Sequence, residues 1–224
     1  MNEETKLLEL DLSIASLQVI ELLILDAAGP EIFLEILSSN KNRPEVLKLL
    51  VDNPDVPPEV REEVWRHLNL PATQSEKPKQ TREREERKFG LLQKIEKLTV
   101  GERISIALKG GQEIRSILLK DANKEVVLTV LKNPKITETE VELVAHSRNI
   151  PEDALRAIHK NREWMKNYAI NMALVNNPKT PVGIAITLVT SLRTKDIAIL
   201  EKNKNVSETV RSIAKKLLQA RKVH

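Results

Sequence analysis

The chain has 224 residues, of which 41% are hydrophobic and 2% aromatic, and it contains no cysteine. This length allows a sizeable core, which has to be built from aliphatic side chains. The absence of cysteine excludes disulfides, thiolate metal sites and cysteine nucleophiles, and it fits a cytoplasmic location.

The net charge of +4 hides an uneven distribution along the chain. Residues 1–70 carry a net charge of −8, residues 71–88 carry +2 and residues 89–224 carry +10. Opposite charges on the two halves indicate either that the halves dock on each other or that the basic half has an acidic partner of its own.

Residues 1–70 are predicted to form an acidic helical repeat domain. The apolar run Leu12–Leu25 predicts a buried helix from Lys6 to about Ala27, and its 14 residues are too few to span a membrane. Three short helices are expected to begin near Pro30, Pro44 and Pro57, because proline fits the first turn of a helix.

Residues 71–88 are rich in charge and contain no large apolar residue. This composition predicts a flexible linker, since little hydrophobic burial is available to offset the entropy of ordering. In a second interpretation, the alternating charges of residues 81–88 form the exposed start of the next helix, which continues through Leu91, Leu92, Ile95 and Leu98.

Residues 89–224 are predicted to form a basic repeat domain. Thr99 and Glu102 have the spacing of a capping box, and the helix that they open is expected to end at Gly110–Gly111 in a left-handed turn. A glycine-rich phosphate loop is the weaker interpretation of these glycines, because the Walker spacing and a preceding strand are both missing.

A repeated turn pattern organises most of the chain. Asp, Asn or Ser starts each turn, and Pro, Thr or Ser usually follows four residues later, where the next helix begins. The most complete copy is residues 174–189, LVNNPKTPVGIAITLV. We assign a structural role in the turns to Asn53, Asn133, Asn161, Asn177, Pro178 and Pro181.

Successive turns are 12 to 16 residues apart. A helix of about ten residues is about 15 Å long and cannot bury its apolar stripe alone, so neighbouring helices must stack. The expected fold is therefore all-α, an α-solenoid of short stacked helices that follows a small N-terminal helical domain.

Three segments carry a family resemblance: DANKEVVLTVLKNPKITETEVELVA, NPKTPVGIAITLV and NPDVPPEVREEV. They resemble the leucine-rich repeat variant group of bacterial proteins and, more broadly, HEAT-like helical repeats. The resemblance covers residues 99–218 well and residues 26–68 loosely, and it implies a right-handed superhelix. One variant-repeat type holds an iron–sulfur cluster through cysteines, a feature that does not carry over to a chain without cysteine.

The sequence indicates no catalytic, cofactor or metal site. His67, His146, His159 and His224 lack the spacing of metal ligands, and the serines lack the context of a nucleophile elbow. The carboxylates Glu138, Glu140 and Glu142 at a predicted helix start fit an interaction with the helix dipole better than acid–base chemistry. We therefore expect a non-enzymatic protein.

Basic and aromatic side chains gather between residues 148 and 168. Such a group can contact phosphates and stack on bases or on a peptide. In the competing interpretation, Trp164 and Tyr168 form one packed ridge four residues apart. The candidate partner-binding residues are Arg148, Arg156, Lys160, Arg162, Trp164, Lys166 and Tyr168.

The leading functional hypothesis is a helical-repeat scaffold that binds a protein partner. An acidic partner would complement the charge of the basic half. The alternative is a HEAT-like protein that binds nucleic acid through the same basic half. A third hypothesis concerns regulation, with the acidic first domain covering the basic face until a partner displaces it.

Overall fold

The computed structural model of the protein describes residues 11–68 and 83–222, with side chains in 11–68 and 90–221. Within these ranges the chain forms helices and no strand, apart from an isolated bridge between Ala27 and Gly110. The all-α prediction is confirmed. No helix among the described residues is both long and apolar enough to cross a membrane.

Fourteen α-helices and one short 3₁₀-helix are found in the described ranges. In chain order the helices are α1 (Leu17–Leu25), α2 (Glu31–Ser39), α3 (Pro44–Asp52), α4 (Pro58–Leu68), α5 (Glu83–Glu96), α6 (Val100–Lys109), α7 (Gln112–Leu118), α8 (Lys124–Val130), α9 (Glu138–His146), α10 (Glu152–Lys160), the 3₁₀-helix (Trp164–Lys166), α11 (Tyr168–Asn176), α12 (Val182–Ser191), α13 (Thr194–Lys202) and α14 (Glu208–Lys222).

Most of the predicted helix starts are confirmed. Helices α2, α3 and α4 begin at or next to the expected prolines, and the capping box of Thr99 and Glu102 opens α6. The single helix predicted from Lys6 to Ala27 is wrong over residues 11–16, and residues 6–10 lie outside the described residues. Residues 12–14 form a turn, and α1 begins only at Leu17 because the Ser16 hydroxyl caps it, accepting from the Val19 N–H at 3.4 Å.

The chain divides into two compact units. Unit 1 comprises residues 1–118 and 132–135, and unit 2 comprises residues 119–131 and 136–224. This division differs from the domains expected at 1–70 and 89–224, because α5, α6 and α7 pack with the first helices. Ion pairing of Lys94 with Glu21 at 2.6 Å is one of the contacts that hold them there.

The predicted linker, 71–88, is only partly within the described residues. Residues 71–82 lie outside them, so the predicted flexibility of this segment stays a prediction. Residues 83–88 belong to α5, as in the second interpretation of the alternating charges.

Helix α1 is the centre of unit 1. It contacts α2, α3, α5 and α6, and its side chains Ile20, Leu22 and Leu23 are completely buried. An amphipathic helix shows one apolar stripe, whereas a helix that is apolar on most sides is surrounded by its neighbours. The apolar run that resembled a membrane segment is thus the core helix of this unit.

Asp26 joins the end of α1 to the start of α7. The Gly111 N–H donates to the Asp26 carbonyl at 2.7 Å, and the Ile114 N–H donates to the Asp26 carboxylate at 2.6 Å. Asp26 therefore caps α7 from 88 residues away. A carboxylate at a helix N-terminus satisfies free N–H groups and interacts favourably with the helix dipole.

The two glycines before α7 have a different role from the predicted one. The Gly110 backbone is extended, with φ −67° and ψ 151°, so it does not form a left-handed turn. Both glycines are buried because other groups approach them closely. A Cβ on Gly111 would lie 2.8 Å from the Asp26 carbonyl oxygen, and one on Gly110 would lie 2.7 Å from the Ile106 carbonyl oxygen.

Helices of unit 2 pack on consecutive helices, as α13 does on α14, and several also pack on their second neighbours in the sequence. Helix α8 contacts α10, α9 contacts α11, and α12 contacts α14. The 3₁₀-helix contacts both α10 and α11. Aliphatic side chains such as Val141, Leu155 and Leu174 are fully buried in one continuous core, as the shortage of aromatic residues led us to expect.

The turn asparagines form a repeated local structure. The side-chain oxygens of Asn53, Asn133, Asn161 and Asn177 each accept from the backbone N–H two residues later, at 2.8 to 3.0 Å. This is the Asx turn that the sequence pattern suggests. Proline varies more, since Pro181 precedes α12 in an extended conformation, whereas Pro44 is the first residue of α3.

Two of these asparagines also connect each turn to an earlier one. The Asn133 amide donates to the carbonyls of Ala107 and Gly110, at 2.9 and 3.3 Å. The Asn177 amide donates to the carbonyls of Ala145 and Ser147, at 2.7 and 2.9 Å. Both asparagines are buried, so these bonds satisfy groups that water does not reach.

The close approach at Gly111 predicts a steric effect of substitution. We expect Gly111→Ala to lower the free energy of unfolding by about 1–3 kcal/mol, because the added methyl group overpacks against Asp26. Gly183→Ala is the matched control, since no atom lies within 4 Å of a Cβ there. It should raise stability by up to about 1 kcal/mol through helix propensity. Urea denaturation of both variants measures the difference, and equal effects would contradict the close approach.

Asp26 also predicts a pH dependence of stability. Burial raises the pKa of this carboxyl above its ordinary value, although the Ile114 hydrogen bond partly opposes the shift. A raised folded-state pKa gives a contribution to stability that is complete below the unfolded pKa and is lost as the pH rises through the folded pKa. We therefore expect the free energy of unfolding of the wild type, relative to Asp26→Asn, to fall as the pH rises above about 4 and then to become constant.

Urea denaturation at a series of pH values measures this difference for the two proteins. A difference that rises over the same range would show that hydrogen bonding to the carboxylate outweighs its burial.

Candidate binding surface

The seven candidate residues from the sequence all lie in unit 2, but α10 separates them. Arg148 precedes the start of α10, and Lys160 is its last residue. A helix of nine residues is about 13 Å long. Arg148 therefore lies at one end of α10, whereas Arg162, Trp164, Lys166 and Tyr168 follow its other end.

The basic residues of the set differ in their partners. The Arg156 side chain donates to Glu152 at 2.9 Å, and Lys166 donates to Glu163 at 2.6 Å. The side chains of Arg148, Lys160 and Arg162 are exposed, and no hydrogen bond or ion pair joins these side chains to another residue in the described part of the chain. Within the candidate set, the positive charges of Arg148, Lys160 and Arg162 are therefore not offset by a bonded carboxylate.

The two aromatic residues do not share a helix. Trp164 starts the 3₁₀-helix and Tyr168 starts α11, and Asn167 between them caps α11 by accepting from the Ala169 N–H at 2.9 Å. Both rings are half-buried and pack against the core of unit 2. Packing therefore accounts for much of both side chains, although they do not form the single helical ridge of the competing interpretation.

Tyr168 is held by three interactions. Its hydroxyl donates to the Asp196 carboxylate and accepts from the Arg193 N–H at 3.1 Å. The Arg193 guanidinium lies 4.6 Å from the ring centroid, in a cation–π contact. One face and the hydroxyl of this ring are thus already in use, which leaves little of it for a base or a peptide.

A polar cleft lies where α9, α11 and α13 end. We call it the turn cleft. Its volume is about 190 Å³, and three turns that are far apart in the sequence contribute to it. The lining residues are His146, Arg148, Ala173, Asn176, Asn177, Pro178, Asn203 and Asn205.

The walls of the turn cleft are fixed by hydrogen bonds. Besides the two bonds donated by Asn177, the Asn203 amide donates to the side-chain oxygen of Asn176 at 2.9 Å. The Asn176 amide in turn donates to the Met172 carbonyl at 2.8 Å. These amides are committed to the fold, so they shape the cleft and do not bind a ligand.

Three lining side chains remain accessible to a ligand. Those of Arg148 and Asn205 are exposed and form no hydrogen bond with other described residues. His146 is also exposed, and its Nε2 lies 3.8 Å from Glu142. A guanidinium, an amide and an imidazole together suit a ligand with negatively charged or hydrogen-bond-accepting oxygen atoms.

Sequence reasoning found Arg148 but missed the rest of the turn cleft. Each asparagine is explained by the geometry of its own turn, and nothing in one turn shows which other turn lies beside it. A recurring signal was nevertheless present. The turns after α9, α11 and α13 each carry one exposed basic residue, Arg148, Lys179 and Lys204.

Unit 2 as a whole is basic, with 17 Lys and Arg against 11 Asp and Glu, a net charge of +6. No group of three His, Asp or Glu that could hold a metal ion occurs among the described residues. No family model, curated protein or solved structure matches the chain.

The contacts of Tyr168 predict its titration. Burial and the hydrogen bond to Asp196 raise the pKa of its hydroxyl above the ordinary value of 10.0. Because the chain has one tyrosine, the tyrosinate absorbance reports this group alone. We expect a titration midpoint above the ordinary value and a lower midpoint in Asp196→Asn, which removes the neighbouring negative charge. Identical midpoints in the two proteins would contradict the contact with Asp196.

Proposed function

We propose that the protein is a non-enzymatic helical-repeat scaffold that binds a protein partner through unit 2. We further propose that the helices within each unit stack in the HEAT-like manner of an α-solenoid. The observation that carries the binding proposal is the turn cleft, which takes its lining from three turns of a basic unit.

The hydrogen bonds between turns support the stacked arrangement. Asn133 and Asn177 bond to carbonyls 23 to 32 residues earlier, and Asn203 bonds to Asn176, 27 residues earlier. In unit 1, Arg43 donates to the carbonyls of Ser13 and Ala15, at 3.2 and 2.9 Å, over a similar separation. A constant separation of about two helices is what stacked helix pairs would produce.

The distribution of the cleft over several turns supports a binding role. Repeat proteins present extended surfaces on which recognition is shared among neighbouring repeats. The residues that hold the turns together differ from those that point to solvent, so the exposed ones can vary without loss of the fold. An acidic partner would complement the net charge of unit 2.

Nucleic acid remains the alternative partner, because unit 2 is basic and the exposed Lys160 and Arg162 lie beside the half-buried Trp164. The contacts described above weigh against it. Lys166 is paired with Glu163, and the Tyr168 ring is covered on one face. Lys166 is therefore not free to bind a phosphate, and Tyr168 is not free to stack on a base with both faces of its ring.

Affinity capture with the full-length protein tests the proposal. We expect the same protein partner to be recovered in repeated captures from cells of the source organism, whether or not the extract is treated with nuclease. Retention should fall about tenfold or more between low and high salt for a charged contact of several groups. Recovery of nucleic acid without any reproducible protein would replace the proposal by its alternative.

A further inference from the structure

The exposed cations beside the turn cleft form a repeating set. We propose that an extended acidic segment of a protein partner binds along the turns that follow α9, α11 and α13, with one carboxylate on each of Arg148, Lys179 and Lys204. This inference rests on the proposed function and names the chemistry of the partner.

The three turns share one layout. Ser147, Asn177 and Asn203 end their helices, and the basic residue follows one or two positions later. Arg148, Lys179 and Lys204 are all exposed, and their side chains have no hydrogen-bond or ion-pair partner among the described residues. Three unneutralised cations on consecutive turns attract an anionic chain better than a single anion.

Helix packing sets the expected spacing of the cations. Helix α9 packs on α11, and Asn203 at the end of α13 bonds to Asn176 of α11, so the three turns are neighbours. Packed helices lie about 8–10 Å apart, and a peptide extended as a polyproline II helix rises about 3.1 Å per residue with about three residues per turn. Neighbouring turns are therefore separated by about three residues of peptide, and every third side chain of the peptide lies on the same side. A segment with an acidic residue at every third position would place its carboxylates in register with the three turns.

The ends of helices normally disfavour an anion, because their free carbonyls carry partial negative charge. Here some of those carbonyls at the ends of α9 and α11 are already bonded. Asn177 donates to the carbonyls of Ala145 and Ser147, and the Thr180 hydroxyl donates to the Leu174 carbonyl at 2.6 Å. The repulsion that a bare helix end would exert on a carboxylate is reduced accordingly.

The opposite end of α10 lacks this set of cations. Lys166 pairs with Glu163, and Asp196 lies beside Arg193 and Tyr168. Lys160 and Arg162, whose side chains lack a partner in the described part of the chain, also lie at that end, but they belong to one turn and do not repeat from turn to turn. The turn cleft also supplies His146 and Asn205, whose side chains can bond the peptide backbone between the charged positions.

The test uses two fluorescent peptides of identical composition and the full-length protein. One peptide, GEGSEGSEGS, has glutamate at every third position, and the other, GGSGEEEGSS, has the three glutamates in succession. Fluorescence anisotropy at low salt should show tighter binding of the spaced peptide. The triple variant Arg148→Glu, Lys179→Glu, Lys204→Glu should weaken that binding by about tenfold or more, since three charge contacts are reversed.

Matched controls separate position from net charge. The control variant Lys195→Glu, Lys215→Glu, Lys216→Glu reverses three exposed basic residues elsewhere in unit 2, so it has the same net charge as the triple variant. Its affinity for the spaced peptide should fall much less than that of the triple variant. The small loss that remains comes from the lower net charge and should disappear when salt is added. All six positions are exposed, and circular dichroism of each variant verifies that the helices are retained.

Three results would overturn the inference: equal binding of the two peptides, no binding of the spaced peptide at low salt, or equal losses in the triple variant and its control. If affinity capture still recovers the protein partner with the triple variant, the scaffold proposal stands and only the assignment to the turn cleft fails. If capture recovers no partner from the wild type, the scaffold proposal itself fails. Tighter binding of single-stranded DNA than of the spaced peptide would identify the cations as a nucleic-acid site.

Discussion

The hydrogen bonds between a turn side chain and the helix end two helices earlier are the interaction on which the rest of the structure depends. Every short helix leaves carbonyl groups without a partner at its end, and a larger share of its backbone is affected than in a long helix. Asn177 serves the end of α9 in this way, and Arg221, which lies in α14 and not in a turn, donates to the carbonyls of Leu192 and Thr190, at 2.8 and 2.9 Å, near the end of α12. The bonds satisfy the backbone and at the same time hold neighbouring turns side by side.

This use of the turn side chains links the fold to the proposed function. Asparagines that are bonded to carbonyls cannot also bind a ligand, so recognition falls to the residues next to them. Arg148 and Lys179 occupy such positions, one and two residues after a residue that ends a helix. Because the backbone under these cations is fixed, less entropy is lost when a partner binds than would be lost on a free loop. The same surface thus combines a rigid base with adaptable charged side chains.

Local patterns predicted the helices well and the contacts between helices poorly. The starts near Pro44 and Pro58 and the capping box at Thr99 depend on neighbouring residues, so they can be read from the sequence. The surroundings of Gly110 and Gly111 include Ala27 and Asp26, which are far away in the chain, and the turn was predicted incorrectly for that reason. The turn cleft likewise depends on residues that are far apart in the sequence. The sequence predicts the separate turns at Asn177 and Asn203, but only the packing of the helices shows that the two turns line one cleft.

The bonds between alternate turns restrict how a chain of this kind can change in length. In the stacked arrangement proposed above, inserting or removing one helix would reverse the direction of every helix after it in the same unit, and the next asparagine would then face the opposite end of the stack from its carbonyls. Gain or loss of two helices would leave each donor beside an equivalent acceptor. In that proposed arrangement, duplication in pairs conserves these hydrogen bonds, and each added pair would bring one more turn to the row that carries Arg148, Lys179 and Lys204.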